Sequence, residues 1–376
     1  MMKIVYLTDQ LAEHGGIEKI VSQKINQWIQ SYGYEVILIT YRQQNRPFIY
    51  PVDAKVQHVD LGMNYQEGKS YFSGANLMCA WKHYHALGKA LKANQPDVII
   101  SASFTPDQYF LPFLLKDIPK IKELHASGYN LIPAMTGPKR ALFNLLQRYD
   151  RLVVLNPSEA EYYPGFPVTV VPNFIDDQSA PPIVEERRQN ILIAAGRIAP
   201  VKQFDHLIRA WAIIGKGFPE WQVHIYGEGS AALQRELSTL ISSAGLGGQV
   251  KLMGGTSVLG QKMAEASLFG MTSATECFPM VLLEAQQAGL VVVSYRCPHG
   301  PENILHHNVD GILTQYNDYE QYAGELAALI RDKEKMQYLA QNARSNARQF
   351  TAGTIMARWN ELIQGLVKND KTVNHV

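Results

Sequence analysis

Short apolar runs alternate with helix-period stretches from one end of the chain to the other. In the first half, KIVYLT (3–8), EVILIT (35–40), DVIIS (97–101), KIKELH (120–125) and RLVVLN (151–156) read as buried strands. Between the first two, Ile17, Ile20, Val21, Ile25, Trp28 and Ile29 form one helical stripe, and Gly33 follows where a helix would end. Strand, helix, strand is the unit of a parallel sheet, since parallel neighbours need a crossover between them. A second series opens after residue 190: ILIAAG (191–196), QVHIYG (222–227), QVKLMG (249–254), SLFGMTS (267–273) and LVVVSY (290–295), separated by the helical DHLIRAWAII, ALQRELSTLI and MVLLEAQQAG. Between the series lies VPNFIDDQSAPPIVEERRQ, rich in Pro, Asp and Glu and without periodicity, which is linker chemistry. The pattern predicts two doubly wound α/β domains, 1–175 and 190–350, joined near 173–189. TIMARWNELIQGLVK reads as an amphipathic helix, and the tail 354–376 is expected to pack back on the first domain.

Composition agrees with this class and removes others. A chain of 376 residues is longer than one core usually serves. Apolar content of 46% with 18% charged residues is that of an ordinary globular protein, and a net charge of +1 gives no pull toward nucleic acid. Three scattered cysteines (Cys79, Cys277, Cys297) form neither a disulfide framework nor a zinc set, which fits a reducing, cytoplasmic setting. MMKIVYLTDQ lacks a secretory pattern, and no apolar run approaches the ~20 residues of a membrane-spanning helix.

Ligands of doubly wound domains bind beyond the carboxyl ends of strands, so candidate chemistry is sought there. In DQLAEHGGIEKI, Gly15 and Gly16 would let a backbone approach an anion at a helix entrance, or simply make a turn. In AAGRIAPVKQFDHLIRAW, Arg197 and Lys202 suit a diphosphate; a solvated basic pair is the plainer alternative. Gly227, in YGEGS, either borders a nucleotide or makes a tight turn, and the turn is favoured. In TECFPMVLLE, Glu276 and Glu284 flank a helix entrance at Pro279, which is expected in the first turn. Their spacing is too long for a glycosidase pair but matches the sugar and ribose ends of a nucleotide sugar. Glu220, Glu228 and Glu236 repeat the spacing without the surroundings. His125 ends a strand and is a candidate by position; His299 and Glu302 are weaker ones in CPHGPENIL. No G-x-G-x-x-G is present, which disfavours a nicotinamide enzyme.

In this order the pieces HGGIEK, VPNFID, AGRIAPVKQFDHLIRAW, YGEGS, TSATECFPMVLLEAQQAGLVVVSY, CPHGPENIL and DGIL resemble the retaining family 4 glycosyltransferases of the GT-B type. That fold has two Rossmann-like doubly wound domains facing across a deep cleft. The resemblance implies sugar transfer from a nucleotide diphosphate sugar, UDP favoured over GDP, to a glycan or lipid-linked acceptor. It implies no metal and no cofactor beyond that co-substrate, and a place in cell-surface polysaccharide or glycolipid synthesis. The donor would bind the C-terminal domain and the acceptor the N-terminal one. Arg197 and Lys202 match the diphosphate-binding cations and Glu276 the acid on the donor sugar. The amides around Phe278, Pro279 and Met280 would lie near sugar and phosphate, Glu284 on the ribose, His125 on the sugar and Gly16 on the diphosphate. The chain departs from the family at Cys277, Phe174 and Gln203, where glycine is usual, and Cys277 could alter sugar choice. Competing readings are an epimerase or hydrolase on the same scaffold, and a non-catalytic sugar-nucleotide binder. Finally, residues 130–151 combine Lys139, Arg140, Arg148 and Arg151 with Leu142, Phe143, Leu145 and Leu146. The segment suits either the anionic inner face of a membrane or a helix packed on its own sheet.

Overall fold

The computed structural model describes residues 1–66, 68–133, 135–176 and 188–373. Residues 177–187 of the expected linker, and 374–376 of the tail, lie outside the described residues. The chain divides into two compact units, Met1–Asn173 with Gly353–Val376, and Phe174–Ala352.

The first unit is built on seven parallel strands: β1 (Lys3–Thr8), β2 (Glu35–Thr40), β3 (Gln57–Asp60), β4 (Val98–Ser101), β5 (Lys120–Glu123), β6 (Arg151–Val154) and β7 (Val168–Val170), in the order 3-2-1-4-5-6-7. The second has six: β8 (Ile191–Ala195), β9 (Gln222–Tyr226), β10 (Val250–Gly254), β11 (Leu268–Met271), β12 (Val291–Tyr295) and β13 (Ile312–Thr314), in the order 10-9-8-11-12-13. Continuous burial of strands such as β4, β11 and β12 is the consequence of helices covering both faces of a parallel sheet.

Three strands and three long helices, Gly74–Asn94, Tyr319–Arg331 and Lys333–Ala347, escaped the hydrophobic pattern. β3 (QHVD) is a polar edge strand, and β7 and β13 are three residues each, too short for a period to register. The helix Gly74–Asn94 buries only Asn76, His83, Leu87 and Leu91, so its stripe is broken by polar residues. The helix Ala352–Val373 belongs largely to the first unit: its Trp359 is fully buried, edge-on to Trp28 at 6.1 Å, with Lys24 4.6 Å above its ring.

Candidate active site

In the second sheet, β8 lies between β9 and β11, so the connections wind in opposite directions from it. The loops leaving β8 and β11 therefore diverge, and a crevice opens at the carboxyl ends of those two strands. The sequence places its strongest candidates on these loops, and the structure joins them. Lys202 Nζ lies 2.6 Å from Glu276 Oε1. The amide of Ala274 donates to Val201 O at 2.7 Å, and Thr272 Oγ1 donates to Gln203 O at 2.8 Å. Backbone and side chain together fasten one loop to the other. Both side chains of the ion pair are mostly buried, 23% exposed for Lys202 and 13% for Glu276, so the pair is partly shielded from water.

Arg197 is on the same loop but exposed, with no ion-pair or hydrogen-bond partner among the described residues. One cation is thus committed to an acid while the other is open to solvent. Gln203 has a left-handed backbone, φ 44° and ψ 45°, immediately before the helix Phe204–Ile214. That conformation explains why glycine suits this position, and the Gln203 side-chain oxygen is buried without a partner among the described residues.

Gly227 is sterically required: a Cβ there would lie 1.8 Å from Gly196 O, because the loops after β8 and β9 touch backbone to backbone. This supports the turn reading of YGEGS. Gly300 lets its loop pass Glu276 closely, since a Cβ there would stand 2.4 Å from Glu276 Cβ.

The helix Met280–Gln287 begins one residue later than expected. Pro279 caps it with φ −73° and ψ 93° and is not in the first turn. In its first turn the Leu282 amide donates to Pro279 O at 3.0 Å, and the amides before it precede the first intrahelical bond, as at any helix start. Phe278 is buried, its ring 5.9 Å from that of Phe350, so only its backbone can serve a ligand. Glu284 is half-buried in the second turn. Cys277 is a half-buried cysteine next to Glu276 in the chain and forms no disulfide.

The remaining candidates are in the first unit. Gly15 caps the helix Gly16–Gln30 directly after the β1 loop, and a Cβ on Gly16 would meet nothing within 4 Å among the described residues. His125 follows β5, and its ring is nearly fully buried with Nε2 3.0 Å from Glu123 Oε2. β4 stands between β1 and β5, so the structure does not bring His125 and the glycines together along the sheet. Burial pushes the His125 imidazole below its ordinary pKa, outweighing Glu123. Burial alone would raise the Glu123 carboxyl, but Lys24 and His125 hold it down at about 2. Lys24 and Tyr6 donate to the same carboxylate, which completes a buried network that position alone did not reveal.

In the basic segment, Phe143 and Leu146 are buried in the unit's own core, while Arg140 and Arg148 lie over the rings of Phe143 and Phe113 at 5.4 and 5.2 Å. A groove of about 520 Å³ lined by Gln43, Asn45, Arg46, Pro47, Phe48, His58 and Asp60 contains none of the sequence-predicted residues.

Family comparison then accounts for both units. Residues 14–179 match the model described as Glycosyltransferase Family 4, and residues 176–346 that described as Glycosyl transferases group 1. The chain belongs to the family 4 glycosyltransferases. This glycosyltransferase is 34% identical to an exopolysaccharide phosphotransferase of Streptomyces coelicolor over 177 residues, 47% of the chain but only 19% of that protein. It is 24% identical to the amylovoran biosynthesis glycosyltransferase AmsD of Erwinia amylovora, covering 96% of this chain and 100% of that one. Among solved structures, HepE of Anabaena in complex with UDP-glucose superposes with a TM-score of 0.75 at 20% identity, over 97% of this chain and 100% of the other. The fold is therefore that of the GT-B glycosyltransferases.

Proposed function

We propose that this glycosyltransferase moves a hexose-type sugar, with retention, from a UDP-sugar to a glycan or lipid-linked acceptor in surface polysaccharide or glycolipid synthesis. The observation that carries the reading is the Lys202–Glu276 pair at the sheet's switch point, with Arg197 open on the same loop. Breaking the bond from anomeric carbon to phosphate leaves a diphosphate of growing negative charge. Arg197, Lys202 and the first-turn amides near Met280 would stabilise it, each worth about 3 kcal/mol of barrier when preorganised. Glu276, already held by Lys202, offers its second oxygen to a sugar hydroxyl, and Glu284 would accept from the ribose. These side chains can perform the leaving-group work without a metal, and no group among them is assigned as a covalent nucleophile. UDP is favoured because HepE was solved with UDP-glucose, and a surface polysaccharide because AmsD serves amylovoran synthesis.

The test is incubation of the purified chain with UDP- and GDP-sugars, with and without candidate acceptors, followed by anomeric proton NMR of the product. Transfer with the donor's own anomeric configuration is expected; an inverted product, turnover lost on chelation, or conversion of the donor sugar alone would overturn the respective part. Membrane contact, if it occurs, would rest on the exposed Lys139, Arg140 and Arg148 with Arg151, since Phe143 and Leu146 are buried. Flotation with phosphatidylglycerol vesicles tests it. Among the described residues no helix is long and apolar enough to cross a membrane.

A further inference from the structure

The first sheet also has a switch point, at β1, which lies between β2 and β4. Asp9 follows β1 directly. Its Oδ2 accepts the amide of Phe104, beyond β4, at 3.1 Å. Its Oδ1 is buried and has no hydrogen-bond partner among the described residues. A buried carboxylate oxygen left open in this way is costly unless something fills the position. Two aromatic residues are near Asp9: Phe104, whose amide is the donor to Oδ2, and Tyr71, whose hydroxyl feels the Asp9 charge. Phe104 and Tyr71 are 37% and 48% exposed, and Tyr71 Oη approaches Phe104 O at 3.5 Å. A carboxylate oxygen seeking a donor beside exposed aromatic faces is the chemistry that recognises a sugar: hydroxyls donate to the acid, and ring C–H groups, slightly positive, meet the negative π face.

We propose that Asp9, with the rings of Tyr71 and Phe104, forms a pyranose-binding subsite for the acceptor at the carboxyl end of the first sheet. The proposal rests on the glycosyl-transfer reading above. Charges around Asp9 keep it poised. Burial, then Asp107, raise its pKa to about 6, against the Phe104 amide, Lys122 and Arg42. Tyr41, Tyr65 and Tyr71 are the other titratable groups coupled to it. Asp107 is itself saturated by Tyr41, Ser103 and Thr105 hydroxyls, and Lys122 is buried on Ser103 O, so neither fills the open oxygen. Above about pH 6 Asp9 is a carboxylate able to accept; below it the proton occupies that acceptor and affinity falls.

The experiment uses the full chain and a set of methyl and n-octyl pyranosides (gluco, galacto, manno and N-acetylglucosamine) as probes, read by saturation-transfer difference NMR and titration. At least one probe is expected to bind the wild type. Asp9→Asn should weaken it about tenfold and abolish its pH dependence near 6, and Tyr71→Ala and Phe104→Ala should each weaken it about fivefold. No binding of any pyranoside to the wild type, or Asp9→Asn binding with unchanged affinity and an unchanged pH profile, overturns the proposal. UDP titration is run in parallel: pyranoside binding without UDP binding keeps the subsite and sinks the donor reading, and UDP binding without pyranoside binding does the reverse.

Discussion

Lys202 Nζ and Glu276 Oε1 lie 2.6 Å apart across 74 residues of sequence, tying the loop after β8 to the loop after β11. Removing Lys202 leaves a mostly buried Glu276 without its cation, which should cost more than the about 0–1 kcal/mol of a surface pair and less than the about 3–5 kcal/mol of a fully buried one. Lys202→Ala should therefore lower the melting temperature by a few degrees, roughly 4–10 °C, while reducing turnover at least tenfold. The Lys202→Ala/Glu276→Ala double variant should lose less activity than the product of the single losses. Calorimetry and steady-state rates on the four proteins check this, and strictly multiplicative losses would show that the two residues act independently.

Arg197 supplies the contrasting case. It is exposed and holds nothing in place, so Arg197→Ala should leave the melting temperature within about 1 °C of wild type and still cost at least tenfold in turnover. Arg197→Lys should recover part of the loss, since a point charge replaces a planar fork. Near-normal turnover in Arg197→Ala would remove it from the site.

Two glycines separate packing from ligand approach. Gly227→Ala drives a Cβ into Gly196 O and should cost about 3 kcal/mol, roughly 10 °C in melting temperature. A Cβ on Gly16 meets nothing within 4 Å among the described residues, so Gly16→Ala should fold normally. Its effect should appear only as a donor KM raised about fivefold. Unchanged KM would reduce Gly16 to an ordinary helix start.

Gln203 holds a left-handed backbone that glycine adopts without strain. Gln203→Gly should be neutral to stabilising, by up to about 1 kcal/mol, because relief of that strain offsets glycine's greater unfolded-state entropy. A loss above 1 kcal/mol in denaturant unfolding would contradict this.

Glu123 governs acid stability in the first unit. Its folded pKa, about 2, is below the unfolded carboxylate value, so its contribution is complete above about pH 4.5 and disappears as pH falls toward 2. Glu123→Gln should flatten that part of the pH–stability curve. Lys24→Met, which leaves the acid buried without its cation, should cost about 3–5 kcal/mol at neutral pH. Tryptophan fluorescence reports both, since Trp28 and Trp359 adjoin Lys24.

What sequence reveals here follows from range. Apolar runs carry their own period, so most strands and the two-sheet plan were legible, as were the loops bearing Arg197, Lys202 and Glu276. Pairing across long separations was not: nothing in the neighbourhood of Lys202 names Glu276 as its partner. Lys24 and Glu123 show the same blindness, though a signal existed. Lys24 falls between Ile20, Val21, Ile25 and Trp28 on the buried stripe of its helix, where a charge requires a partner. β3 and β7 were hidden because edge strands need little hydrophobicity. Asp9 escaped because an acid beside a strand end looks like any loop acid until its unpartnered oxygen is seen.

The chain leaves the first unit at Asn173 and re-enters it at Gly353, bringing Trp359 to Trp28 and Lys24. A ribosome therefore makes most of this unit first, yet cannot supply its last piece until the whole second unit has been synthesised. The half that starts earliest must wait with an unsealed tryptophan, so a fragment ending near residue 173 would be an unfinished domain and not an independent one.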